Sequence, residues 1–279
     1  MRLATILGGQ PGRVRRDGDN CGMNSSTSPT PPTTGSLRPH APLTEYYEGN
    51  DKHREFVQQI FDSTAVDYDR IEKILAFGTG PWYRGQALRR ANLSAGAHVL
   101  DVGTGTGLVA REALSIVGPT GSVVGVDPSP GMMGQAHLEG VQMLTGFAEA
   151  IPRPDNSADF LSMGYALRHI SDVRPAFREF FRTLKPGGRL LILEITRPKT
   201  RWGMFWLKAY MRLFVPTVAR FVSRGADTSL LWRYYWDTIE ACMAPEAVMA
   251  ELTAAGFTDV KRYVELGIFS EFTATKPQA

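Results

Sequence analysis

Val99-Leu100-Asp101-Val102-Gly103-Thr104-Gly105-Thr106-Gly107 starts as an apolar run, acquires a carboxylate at Asp101 and ends in glycines alternating with threonines. Residues 98–102 read as a strand and 108–116 have helical apolar spacing, so the glycines form the turn between them. Gly103 and Gly105 let the backbone turn sharply and approach a ligand with no Cβ in the way. The helix that follows aims free N–H groups at whatever lies over the loop. Asp127 closes a second strand, 122–126, where an acidic side chain reaches both hydroxyls of a bound ribose.

Working outward, strand and helix keep alternating. A helix is expected at 131–138, strands at 141–144 and 158–163, a helix at 173–184 closed by Lys185-Pro186-Gly187-Gly188, and a strand at 189–195. This pattern predicts an α/β fold with a parallel sheet and helices on both faces. Upstream, Phe56, Ile60 and Phe61 mark one amphipathic helix, and Tyr68, Ile71, Ile74 and Leu75 mark a second. Two features break the alternation. Residues 201–236 form a long aromatic and basic insertion with helical spacing. After a helix at 245–255, strands 260–264 and 268–275 are joined too tightly for a crossover and must pair as an antiparallel edge hairpin.

The composition, 43% hydrophobic and 21% charged, supplies a full globular core. A net charge of +3 is too small to argue for nucleic acid, although it permits attraction to an anionic membrane surface. Cys21 and Cys242 are the only cysteines, which excludes a disulfide framework and a thiolate metal site and suits a reducing cytoplasm. The histidines show no metal-ligand spacing, so no metal is expected. No apolar run is long enough to span a bilayer. The apolar patch at 3–7 is followed by Gly, Gln, Pro and Arg and makes a poor signal-peptide core. The expected location is cytoplasmic. Residues 1–44 are rich in Gly, Pro, Ser, Thr and Arg and read as a disordered extension before a single domain at 45–279. Met23 is a candidate internal start.

Dinucleotides and S-adenosylmethionine both use a glycine turn of this kind. The dinucleotide fingerprint is Gly-x-Gly-x-x-Gly, whereas the residue three after Gly105 is Leu108. Asp101 places a carboxylate where it can hold the amino-acid ammonium of S-adenosylmethionine, a charge that a pyrophosphate disfavours. A glycine turn alone also fits a domain with no cofactor or a non-catalytic scaffold. Asp101 before the loop and Asp127 after it favour a site for S-adenosylmethionine.

Residues 101–107, Val126-Asp127-Pro128-Ser129-Pro130-Gly131-Met132, Ala148-Glu149-Ala150-Ile151-Pro152 and Leu184-Lys185-Pro186-Gly187-Gly188 resemble the motifs of class I methyltransferases. Phe61-Asp62-Ser63-Thr64-Ala65 with Tyr68-Asp69, Pro154-Asp155-Asn156, Ala166-Leu167-Arg168-His169, Leu193-Glu194 and Tyr234-Tyr235 with Thr238-Ile239 are more particular. Over 61–265 the chain resembles the C-methyltransferases of ubiquinone and menaquinone biosynthesis. The resemblance implies a Rossmann-like seven-stranded sheet, mostly parallel with the last strand antiparallel. It implies S-adenosylmethionine contacts at Gly103, Thr104, Gly105, Thr106, Pro128, Phe147, Ala148 and Gly164, with Asp127 on the ribose and Met132 on the adenine. It also implies a small aromatic acceptor, a prenylated quinone precursor methylated on carbon. Three positions depart from the pattern: Phe147 for a usual Asn or Asp, Gly164 for a usual Ser, and His169 for a usual Asn. Those departures support an alternative, an O- or C-methyltransferase of secondary metabolism acting on another phenol or polyketide.

Methyl transfer from a sulfonium is an in-line displacement, so the enzyme must align the nucleophile and exclude water. Methylation of a hydroquinone carbon also needs a phenolic proton removed or shared. The candidates are Tyr68, Arg168 and His169. Arg168 holds a phenolate by charge, and His169 titrates near neutrality and can take the proton. Each has a structural alternative: Tyr68 as a cap of the lid helix over the core, Arg168 as an ion-pair partner of Asp172 or Glu194, His169 as a surface residue or a hydrogen-bonded structural one. The insertion, a helical lid over about 200–240 broken at Pro216, also has two readings. Its aromatic face covers the pocket, or residues 201–224 lie as an interfacial helix on the inner face of the membrane that holds a polyprenyl-tailed substrate.

Overall fold

The strands His98–Val102 (β1), Ser122–Asp127 (β2), Val141–Thr145 (β3), Ala158–Gly164 (β4), Leu184–Ile195 (β5), Thr258–Glu265 (β6) and Phe269–Thr275 (β7) form one sheet in the order β3-β2-β1-β4-β5-β7-β6. The structure is a computed structural model that describes residues 35–223 and 228–278. Cys21, Met23, the rest of the expected extension up to residue 34, and Arg224 lie outside the described residues. Neighbours among β1 to β5 run parallel, and β7 is antiparallel to both β5 and β6. The edge hairpin therefore forms as its spacing predicts. β5 starts earlier than expected, because Leu184 already pairs with Ala158.

Alternation along each strand sorts the core. Leu100, Leu161, Met163, Leu190 and Ile192 face one side, where Val173–Thr183 (α5) and Pro245–Ala254 (α9) bring Phe177, Phe180 and Leu252. Val99, Phe160, Leu191 and Leu193 face the other, against Gly80–Arg90 (α2) and Leu108–Val117 (α3). Full burial of each such side chain contributes roughly 1.5–3 kcal/mol. α2 has no counterpart in the sequence reading; its small apolar residues, Ala87 and Leu88, carry little periodic signal.

The two helices expected between residues 56 and 75 are one, Gly49–Leu75 (α1), 27 residues long. Ser63 and Thr64 lie between the two apolar sets and do not start a new helix. Instead their hydroxyls donate back to the Ile60 carbonyl at 3.1 and 2.7 Å, which is how these residues sit inside a helix. The break expected at Pro216 is likewise absent. Arg201–Ala209 (α6) continues through a π-helical turn, Tyr210–Phe214, into Val215–Val222 (α7). The π turn shifts the hydrogen-bond frame just where proline lacks an N–H. Ser229–Ala241 (α8) completes the insertion. Pro130–Gln135 (α4) is the short helix after β2.

The segment 35–44, which falls within the expected disordered extension, runs along the domain. Leu37 donates its N–H to Asp172 at 3.1 Å and accepts from Val173 N–H at 2.8 Å. Pro39 accepts from Met243 N–H at 2.7 Å, and His40 is buried. The Leu37 carbonyl satisfies the first N–H group of α5, a local need that composition does not show.

Candidate active site

The chain leaves β1 outward to β2 and β3, then returns to β4 on the other side of β1. Such a reversal opens a crevice at the carboxyl ends of the strands. A cavity of about 480 Å³ lies there, with residues of α1, α2, the π turn, α7, α8 and the β6–β7 hairpin completing its wall.

One end is built from backbone. Gly103, Gly105 and Gly107 all have positive φ. A Cβ at Gly103 would lie 2.5 Å from that of Ala166, and one at Gly105 would lie 3.3 Å from Met132 Cε. Asp127 accepts Gly105 N–H and Ser129 N–H, both at 2.8 Å, so its carboxylate is fixed over the loop. Burial pushes its pKa up to about 6. Gly103, Thr104, Gly105, Thr106, Asp127, Pro128, Met132, Phe147, Ala148 and Gly164 all line the cavity. Phe147 is half exposed there, with the Arg54 guanidinium 5.1 Å from its ring centre. A Cβ at Gly164 would sit 2.6 Å from Val109 Cγ2, so serine at this position requires Val109 to move.

Asp101 is placed differently from the expectation. It is fully buried and does not line the cavity; its two oxygens accept from Ser162 Oγ at 2.6 Å and Thr104 Oγ1 at 2.7 Å. Burial also pushes its pKa to about 6. It braces the loop from behind and offers the cavity no free oxygen.

The other end is built from side chains on distant segments. Tyr68 on α1 and Tyr235 on α8 share a hydroxyl hydrogen bond of 2.6 Å, and both line the cavity. Burial holds the Tyr68 hydroxyl well above its usual pKa, so it stays protonated. Behind Tyr235, the fully buried Arg168 lies 4.5 Å from the ring centre and is paired with Glu194. Burial opposes charge on Arg168, and the Glu194 carboxylate overcomes it. Arg168 does not line the cavity, so direct contact with an acceptor, one of its two readings, is not what the geometry shows; the ion pair with Glu194 is. His169 does line it, with Phe61, Tyr234 and Tyr235 rings 5.2–5.4 Å away. Its Nδ1 lies 3.4 Å from the Tyr234 hydroxyl and its buried Nε2 has no protein partner. Burial, reinforced by Arg168, lowers its pKa well below the usual value, leaving a neutral ring.

Two residues within the quoted motifs have roles that the sequence reading missed. Asp62 accepts from Ser129 Oγ at 2.5 Å and Gly131 N–H at 2.8 Å, and Asp69 accepts from the Thr106 hydroxyl. These two carboxylates, two helical turns apart on α1, clamp that helix over the cofactor loop. Their spacing was visible; their partners were not.

The sequence profile of the ubiE/COQ5 methyltransferase family matches residues 48–276. The chain belongs to that family. The 2-phytyl-1,4-naphtoquinone methyltransferase of Thermosynechococcus vestitus is 33% identical over 216 residues, 76% of this chain and 94% of that one. The ubiquinone/menaquinone biosynthesis C-methyltransferase UbiE of Ectopseudomonas mendocina is 32% identical over 74% of this chain and 82% of its own. Among solved structures, a SAM-dependent methyltransferase from Aquifex aeolicus aligns with a TM-score of 0.54 at 22% identity, covering 75% of this chain and 97% of that one. The [4+2]-cyclase SpnF aligns with a TM-score of 0.57 at 19% identity over 81% and 97%, so the fold alone does not fix the chemistry.

As a member of the ubiE/COQ5 family the chain is an S-adenosylmethionine-dependent methyltransferase. Its residues fit that cofactor: the glycine cradle has room only without Cβ atoms, and the Asp127 carboxylate is held beside it by two backbone amides.

Proposed function

We propose that this enzyme methylates a ring carbon of a prenylated hydroquinone, a precursor of a respiratory quinone. The observation that carries this reading is the end of the cavity around His169. There a neutral imidazole with a free nitrogen, a tyrosine hydroxyl pair and an apolar aromatic wall meet the cofactor loop. The curated names of the relatives, demethylmenaquinone methyltransferase in Symbiobacterium thermophilum among them, agree with such an acceptor.

Bound S-adenosylmethionine supplies an electrophilic methyl group. Asp127 and the Gly103–Gly107 turn would hold its ribose and amino-acid ends, and Met132 and Phe147 would lie against the adenine. Phe61, Tyr68 and Tyr235 would enclose the acceptor ring beside the methyl group and exclude water. His169 would take the phenolic proton, raising the electron density of the ring, and return it to the oxygen as the methylated ring carbon gives up its hydrogen, so that one proton is released overall. The Tyr68–Tyr235 pair donates to the resulting phenolate, strengthened by the Arg168 charge behind it. Arg168 acts here as a positioning residue.

The test is methyl transfer from labelled S-adenosylmethionine to a prenylated naphthohydroquinone and to an unprenylated phenol. Label on a ring carbon of the first supports the reading. Label on oxygen, or on the phenol alone, favours the secondary-metabolite alternative, which the departures at Phe147, Gly164 and His169 support.

The insertion supports contact with a bilayer as well. Leu207, Met211, Val215 and Ala219 are buried on its inner side, while Trp202, Phe205, Trp206, Leu213 and Phe221 are exposed beside Arg201, Arg212 and Arg220. An exposed aromatic face flanked by cations suits the interface of an anionic membrane. No helix among the described residues is long and apolar enough to cross one. Co-sedimentation with anionic vesicles is expected for the wild type and lost in Trp202→Ser/Trp206→Ser; no binding by the wild type removes the membrane reading.

A further inference from the structure

Among the described residues, six that are not glycine have positive φ. Asn92, Asn156 and Asp259 are residue types that tolerate this conformation. The others are Phe77, Tyr165 and Leu266, at 49°, 60° and 50°, and bulky residues adopt it only under constraint. All three border the cavity. Tyr165 and Leu266 line it, and Phe77 stands between Ala76 and Thr79, which do.

Local structure explains the backbone at Phe77 and Leu266 but not the choice of residue. Phe77 follows the C-terminus of α1, where its N–H donates to Ile74 and that of Gly78 donates to Lys73 at 2.8 Å. Glycine or asparagine ordinarily fills such a position. Leu266 and Gly267, both with positive φ, make the β6–β7 hairpin turn. That turn favours Asn-Gly. In both places a large apolar residue replaces asparagine, yet its side chain packs on nothing: Phe77 is 79% exposed and Leu266 80%. Trp82, in the first turn of α2, also lines the cavity and is 65% exposed.

These turns ring one mouth of the cavity. The Tyr83 ring lies 5.3 Å from that of Phe269, joining α2 to the hairpin, and the Tyr210 hydroxyl donates to Leu75 O at 3.0 Å, joining the π turn to the end of α1. We propose that this mouth is the exit port for the isoprenoid tail of the acceptor, with Phe77, Trp82 and Leu266 as its apolar rim. The inference rests on the quinone reading above. A cavity of about 480 Å³ suits one drug-sized ligand, so a cofactor and a ring fill it and a long tail must leave. Tail carbons would remove from water the rim that strained turns hold out into it. The aromatic face of α6 is a separate surface, suited to the bilayer rather than to the tail.

Phe77→Asn/Leu266→Asn tests this without threatening the fold, because asparagine suits both backbones. The measurement is the ratio of kcat/KM for a hydroquinone carrying a four-unit isoprenoid tail to that for the same ring without it. In the double variant the ratio is expected to fall about tenfold while the melting temperature holds or rises. An unchanged ratio overturns the port. If the wild type methylates neither acceptor, the quinone reading has failed, and cross-linking with a ring-free diazirine isoprenoid alcohol decides the port separately. Label on peptides containing residues 77, 82 or 266 supports it. Label confined to 201–223, or spread with exposed surface, overturns it.

Discussion

At the cofactor end of the cavity, the polar groups that shape the site all have protein partners: Asp127 accepts two backbone amides, Asp101 two hydroxyls, and Asp62 and Asp69 tie down the loop from above. At the acceptor end, Nε2 of His169, a residue that lines the cavity, is buried and has none. Buried polar groups without partners are expensive and persist where chemistry uses them. The first end is a mould that holds one ligand in one pose; the second keeps hydrogen-bonding capacity in reserve for a ligand whose charge changes during reaction.

Removing the counter-charge at the acceptor end should have the largest effect. Glu194→Ala leaves the Arg168 guanidinium charged and alone in the core, which costs about 3–5 kcal/mol of unfolding free energy. Chemical denaturation measures it. Arg168→Met/Glu194→Met should recover most of that stability while remaining inactive. A double variant as unstable as the single one would mean that the pair serves packing instead.

His169→Gln comes next. If this ring takes the phenolic proton, kcat falls about 100-fold while the dissociation constant for S-adenosylmethionine is little changed. Because its pKa is lowered well below the usual histidine value, the ring is free to accept a proton throughout the neutral range. The acid limb of wild-type kcat therefore lies below the ordinary histidine range, and the variant should lack it. An unaltered pH profile removes His169 from the chemistry.

The same contrast explains what could be read from the sequence. Asp101, Gly103, Gly105 and Asp127 lie within one βαβ unit, and local pattern carries a site made of backbone turns and strand ends. Tyr68, His169 and Tyr235 meet only because α1 and α8 cross over the sheet, and no local spacing encodes their 2.6 Å hydroxyl contact. The length of α1 was missed because its two apolar sets read as separate helices, while Ser63 and Thr64 between them satisfy themselves inside one helix in the fold. Asp101 was placed on the right loop, but which way its carboxylate bonds depends on Ser162, on the neighbouring strand.

At the cofactor end, Asp127→Asn should weaken S-adenosylmethionine binding about 30-fold, roughly 2 kcal/mol for lost charged hydrogen bonds, as read by titration calorimetry. Its pH dependence has a definite sign. With a folded-state pKa raised to about 6, the wild-type carboxyl gains a proton as pH falls through 6 and affinity drops with it. Stability should not drop from this group, because a carboxyl with a raised pKa binds protons more readily folded than unfolded, so protonation between about 4 and 6 favours the native state. Loss of binding without loss of fold in that window, present in the wild type and absent in Asp127→Asn, separates Asp127 from Asp101, whose carboxyl burial also raises to about 6.

The smallest effect expected lies at Phe147, the one place where the cofactor end resembles the acceptor end in using a ring instead of a polar group. A phenyl ring under the Arg54 guanidinium offers the adenine a face but no acceptor for its amino group. Phe147→Asn restores a hydrogen-bonding edge and also removes apolar contact, so the gain in affinity should be modest, about five-fold, near 1 kcal/mol. The sharper reading is selectivity. The wild type should bind S-adenosylmethionine and its N6-methyl analogue with similar affinity, whereas Phe147→Asn should prefer the unmodified base. If the wild type already rejects the N6-methyl form, another group reads the amino edge, and the cofactor end is as fully polar as its loop.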